Sequence, residues 1–132
     1  MRTQQLKNRT AQGFNLNKMS NDTYALRRKV IDIIYEAKNK GFKLPRIEVR
    51  VVNTEVRNHA CGYAYLNSNV VHINEKYIND NIEFLTHVVL HEIVHAVKGF
   101  EHDNNCYLMR PNVPSKHPDL NQSWNRFAHY IK

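Results

Sequence analysis

A single α+β domain is the fold this sequence predicts, and three observations predict it. Apolar residues recur at three- and four-residue spacing in three separate stretches, the mark of helices with one buried face. Between the first and second of these, short runs alternate apolar with polar residues, as half-buried strands do. A chain of 132 residues with 42% hydrophobic content can bury one core but not two.

Residues 1 to about 20 are polar and rich in Gln, Asn, Lys and Arg, which reads as a loose arm or an extended cover outside a domain spanning 21–132. A long helix is expected from Asp22 to Lys40, with Ala25, Val30, Ile33, Ile34 and Ala37 as its apolar face and Gly41 as its stop. Pro45 precedes Ile47-Glu48-Val49-Arg50-Val51, whose alternation marks a strand, and further strands are expected near 63–66 and 70–73. Ile82, Leu85, Val89, Ile93 and Val97 form a buried helical stripe, with Asp80 to Glu83 in the form of a capping box at its start. Leu120, Trp124, Phe127, Ala128 and Ile131 place a closing helix within 118–131. No internal repeat or low-complexity tract interrupts this order.

The second of these helices carries the chemistry. His91-Glu92-Ile93-Val94-His95 puts two imidazoles four residues apart on one helical face, the spacing that binds a single Zn²⁺, with Glu92 beside them. Eight histidines make a chance match of this kind a matter of roughly a few per cent. Its placement on a predicted buried helix is what gives it weight. Gly99 can end the helix in a left-handed turn and bring His102 back as a third ligand, leaving one position for water. Zinc so held would lower the pKa of its bound water towards about 7, and Glu92 would act as general base. Glu101 is chemically competent as the third ligand in place of His102. Asp103 would orient an imidazole from behind. Tyr107, Tyr130 and His117 are oxyanion candidates by proximity along the chain. Cys106, four residues after His102, is expected to be a small buried thiol rather than a ligand.

The run HEIVHAVKGFEH followed by LMRP resembles the metzincin peptidases, in which H-E-x-x-H, Gly and a third His precede a Met-containing turn, here at Met109. One residue is inserted: strict spacing would put the glycine at Lys98 and the ligand at Glu101. Gly62-Tyr63-Ala64-Tyr65-Leu66-Asn67 and Val70-Val71-His72-Ile73 look like the edge strands that line a zincin cleft. The resemblance covers roughly residues 45–131. It implies a small zincin-like fold, a zinc cofactor and hydrolysis of protein or peptide substrates. Two further families share part of the pattern. SprT-like metalloproteases also join a Gly-x-Ala strand region, here Gly62 to Ala64, to H-E-x-x-H, and some act on DNA-attached proteins, although their third histidine usually lies further along. Endoribonucleases of the YbeY type end their three-histidine motif in an element similar to Gly99-Phe100-Glu101-His102, but typically carry Gly where this chain has Glu92. A carboxylate at position 92 favours the peptidase. A non-catalytic zinc-stabilised binding domain would require Asp103 or Cys106 to close the fourth coordination position.

Charge is uneven along the chain. Residues 1–50 hold twelve Lys or Arg against four Asp or Glu, giving +8, while 51–132 hold seven against eight, giving −1. The N-terminal half is therefore a candidate nucleic-acid contact, against the usual alternative of a solvated helix face. No apolar run is long enough to cross a membrane and no charged-then-apolar leader opens the sequence, so a cytoplasmic protein is expected. Cys61 and Cys106 alone make no disulfide framework, which fits a reducing compartment.

Overall fold

The computed structural model describes residues 21–54, 60–76, 78 and 81–131; the predicted N-terminal arm lies outside them. Helix α1 spans Asn21–Asn39. Three strands follow, β1 at Glu48–Val52, β2 at Gly62–Tyr63 and β3 at Val70–Asn74. Helix α2 covers Ile82–Ile93 and continues into a π-helical turn at Val94–Lys98, and α3 closes the chain at Leu120–Tyr130. The predicted α+β architecture is the one observed, and element ends fall within a few residues of their expected places. The exceptions are the second strand, which is only Gly62–Tyr63 and overlaps the expected 63–66 at Tyr63 alone, and the π-helical turn, which hydrophobic periodicity does not distinguish from α-helix.

The three strands form one mixed sheet in the order β1-β3-β2, with β1 parallel and β2 antiparallel to β3. Alternation sorts its faces. Val49, Val71 and Ile73 are buried against the helices, while Arg50 and Tyr63 flank His72 in register across the sheet. Asn74, 1% exposed, fastens the ends of β1 and β3 by donating to the Thr54 carbonyl at 2.9 Å and accepting from the Lys76 N–H at 3.1 Å.

Helix α2 is the centre of the molecule. Every residue from Phe84 to Ile93 is buried, as befits a helix covered on all sides rather than along one stripe. Val30, Ile33 and Ala37 of α1, Val71 and Ile73 of β3, and Phe127 and Ile131 at the C-terminal end join it in one hydrophobic core. A residue such as Leu90 or Ile93, fully buried there, contributes about 2–3 kcal/mol by its removal from water. The helix is capped by Asn81, whose side chain accepts from the N–H groups of Glu83 and Phe84 at 2.9 and 3.1 Å. The cap was expected at Asp80, which lies outside the described residues; the one-residue difference follows from Asn81 holding extended backbone with φ −98° and ψ 120°, the N-cap conformation. At the C-terminus of α1, Gly41 N–H bonds to Lys38 O and Phe42 N–H to Ala37 O, a Schellman stop at the expected glycine. No helix among the described residues is long and apolar enough to cross a membrane.

Candidate metal centre and cleft

His91 and His95 leave α2 and its π-helical turn on one side, and Gly99 returns the chain to them. Gly99 has φ 71°, a conformation that favours glycine, and a Cβ there would lie 2.3 Å from the Asn67 side-chain nitrogen, which would have to shift. The loop that occupies this space is tied to the same turn. Asn67 N–H donates to His95 O at 3.1 Å and Asn69 N–H to Ala96 O at 2.9 Å, with both asparagines in the left-handed region that Asn tolerates better than most residues. The link between β2 and β3 is thus fastened to the helix end that carries the histidines.

Against the metzincin spacing the chain is one residue longer before the glycine, and the segment leading to Gly99 is a π-helical turn. A π turn takes up one residue more than an α-helix over the same course, so the chain reaches Gly99 one position late and still returns to the imidazoles. His91, His95 and His102 have ring centroids 4.7, 5.2 and 4.9 Å apart, and their donor atoms all lie within 4.8 Å of one another. Glu101 lines the same cavity but does not belong to this donor group.

Two main-chain carbonyls set the imidazoles. His91 Nδ1 donates to Leu108 O at 2.7 Å and His95 Nδ1 to Phe100 O at 2.6 Å; a carbonyl only accepts, so the proton of each neutral ring is on Nδ1. Burial before all else holds both rings below the usual histidine pKa, His91 down to about 3, which keeps them neutral. The two Nε2 atoms then face each other at 3.1 Å as bare lone pairs, an arrangement that repels itself unless a cation lies between them. The donor set fits a divalent metal, and soft-to-borderline imidazole suits zinc.

Glu92 is next to this cluster without belonging to it. It is 5% exposed, its Oε1 has no hydrogen-bond partner, and burial raises its pKa to about 8. An orphaned buried carboxylate oxygen is costly, and this one lies on a cavity of about 600 Å³ shared with the three histidines. Gly62 of β2 makes room for it: a Cβ there would lie 2.9 Å from the His72 carbonyl oxygen and 3.2 Å from both Cγ and Oε2 of Glu92. The edge strand can approach the carboxylate because it has no side chain at that point.

The remaining sequence candidates lie elsewhere around the site. Asp103 accepts the Asn105 N–H at 2.9 Å, closing a turn, and the imidazoles are oriented by the Leu108 and Phe100 carbonyls. Tyr107 accepts the Asp119 N–H at its hydroxyl, 2.7 Å away. Tyr130 packs against Phe100, and burial together with its bond to Cys106 pushes its hydroxyl up to about 12. His117 lies against Glu83 at the start of α2. None of these four side chains is among those lining the cavity. Met109 is fully buried beside the Leu108 carbonyl. Cys106 is buried, Cys61 lines the cavity, and no disulfide joins them. Sequence reasoning missed the two carbonyls, which carry no mark in a sequence. It also missed His87, four residues before His91 and a lining residue with Arg110; the four-residue spacing was the available signal.

A scan against protein-family models matches one described as the SprT-like family over residues 27–108, more than half of the chain and inclusive of His91, Glu92, His95 and His102. A search of curated proteins and a search of solved structures return no match. The matched family is the second of the three resemblances rather than the metzincin pattern. The short gap to His102, which weighed against it in the sequence, does not prevent the match.

Proposed function

The chain belongs to the SprT-like family, and on that premise we propose that it is a zinc-dependent metallopeptidase that hydrolyses peptide bonds with Glu92 as general base. One observation carries the reading: three converging imidazoles and a buried carboxylate without a hydrogen-bond partner share one cavity. His91, His95 and His102 would hold the metal. Bound there, zinc would supply Lewis acidity to a substrate carbonyl and to water.

The protein's own groups do the rest. Glu92 accepts a proton from the attacking water and delivers it to the departing amine. The Leu108 and Phe100 carbonyls keep the ring tautomers fixed throughout. Strand β2 is the edge of the sheet among the described residues and would offer an extended peptide a strand to pair with, and Gly62 brings that strand against Glu92. Asp103 closes a turn and Cys106 bonds to Tyr130, and neither joins the three histidines in the donor group.

The test separates binding from chemistry. Glu92→Gln should keep one zinc per chain by elemental analysis and lose about 10²- to 10⁴-fold in rate on casein or a peptide library, because an amide cannot take the water's proton. Hydrolysis at the wild-type rate by Glu92→Gln would remove Glu92 from its role. A wild type that holds zinc and cuts RNA but no peptide would replace this reading with the endoribonuclease one.

A further inference from the structure

Arg110 brings a positive charge to the cavity wall that the hydrolytic step does not use. It lines the cavity with Pro111, Asn112 and Val113, in the segment that follows buried Met109. Its guanidinium carbon lies 6.0 Å from the centre of the Tyr107 ring, within cation–π reach. That ring is itself braced. The Tyr107 hydroxyl accepts the Asp119 N–H at 2.7 Å, and His87 meets the ring edge-on at 5.5 Å while its own Nδ1 pairs with Ser123 Oγ at 2.8 Å. The cation therefore rests on an aromatic support tied to the start of α3.

Arg110 is exposed and pairs with no carboxylate: among the described residues the ion pairs are Arg28–Asp32, Lys40–Glu36, Arg50–Glu48 and His117–Glu83. The field reaches into the cavity, since Arg110 is the second cause, after burial, that holds His87 below the usual histidine range. Arg110 is also the only Lys or Arg among the described residues lining the cavity. A planar guanidinium with spare donors matches a carboxylate in two parallel hydrogen bonds, and a peptide seated in the cleft would exclude water from that pair.

Resting on the peptidase reading above, we propose that Arg110 determines specificity by binding a carboxylate of the substrate, so that the site prefers peptides with an acidic group beside the scissile bond. The carboxylate comes either from an Asp or Glu side chain or from a substrate's C-terminus. Matched fluorogenic peptides with Glu or Gln at each position flanking the cleaved bond, each with a free or an amidated C-terminus, distinguish the sources. Wild-type kcat/KM should favour the carboxylate-bearing peptide by about tenfold, the scale of one charge-assisted hydrogen-bonded pair. A Glu-over-Gln preference that survives amidation assigns the side chain; a free-over-amidated preference shown equally by Glu and Gln peptides assigns the terminus. In Arg110→Gln the ratio should fall to about one, and in Arg110→Glu it should invert in favour of Lys-bearing peptides. Equal rates for charged and neutral peptides in the wild type, or an unchanged ratio in Arg110→Gln, overturns the proposal. Anisotropy of the same peptides, labelled, on zinc-loaded Glu92→Gln gives the ratio without turnover. If the wild type cuts no peptide, the peptidase reading falls, and the Arg110 proposal stands or falls on whether the carboxylate-bearing peptide binds more tightly.

Discussion

Glu92 and Gly62 are a pair in which one residue's position depends on the other's lack of a side chain. A methyl group at position 62 would meet a backbone oxygen at 2.9 Å and the Glu92 side chain at 3.2 Å, and the carboxylate is the more movable of the two. Gly62→Ala should therefore shift Glu92 or lift β2 from β3, costing about 1–3 kcal/mol of stability as overpacking does. The sharper consequence is kinetic, since a displacement of about 1 Å at a reacting group can cost 10²-fold. Peptide hydrolysis should fall by about that factor while zinc stoichiometry stays at one, because no histidine is touched. Unchanged kcat/KM in Gly62→Ala would show that the close approach has no part in catalysis. At this scale the sequence was informative where the chemistry is local: His91, Glu92 and His95 sit within five residues, so one helical turn brings them together. It was silent on Gly62, whose partner is thirty positions away, and on the carbonyls of Leu108 and Phe100, which any residue type would supply.

The π-helical turn Val94–Lys98 is the element that reconciles an unusual spacing with a converging triad. If its extra residue is simply absorbed by the wider turn, deleting exposed Lys98 should let the helix continue in regular α form and leave His102 within reach of the metal. Zinc affinity of the deletion variant, read by chelator competition, should stay within about tenfold of wild type, the lower end of what loss of an imidazole's supporting contact costs. His102→Ala should lose far more, and Glu101→Gln little. A deletion variant as metal-poor as His102→Ala would show that the π turn positions the third ligand and does not merely accommodate a residue. The longer elements were legible for a physical reason: α1, α2 and α3 each repeat their apolar positions over several turns. Strand β2 has two residues, too few for alternation to declare itself, and is defined by pairing with β3. The Asn81 cap was displaced by one from its expected place because neighbouring Asp and Asn are equally good caps, and only backbone conformation chooses between them.

At the scale of the whole molecule, buried histidines along α2 tie the site to global stability. His87 is 2% exposed and is held down to about 4, by burial first and by Arg110 second, so the folded protein keeps it neutral where an unfolded chain would protonate it. The unfolded state then binds more protons at any pH between these two values, and stability falls as pH falls. The contribution is fully retained above the unfolded value of 6.5, is lost progressively below it, and is exhausted near pH 4. A shift of this size amounts to about 3 kcal/mol over that window, at about 1.4 kcal/mol per pH unit. His91 adds to the same trend in metal-free protein, being held down to about 3 by burial. Urea unfolding in the presence of chelator, followed from pH 7.5 to pH 4, should thus show a steep loss beginning below about pH 6.5. His87→Gln removes one of the titrating groups while leaving a polar atom for Ser123. Whatever its absolute stability, its curve should be flatter than wild type by about 3 kcal/mol across the window. Parallel curves for the two proteins would mean that His87 takes up its proton without unfolding, and that the polar cluster of His87, Ser123 and Tyr107 opens to water before the core does.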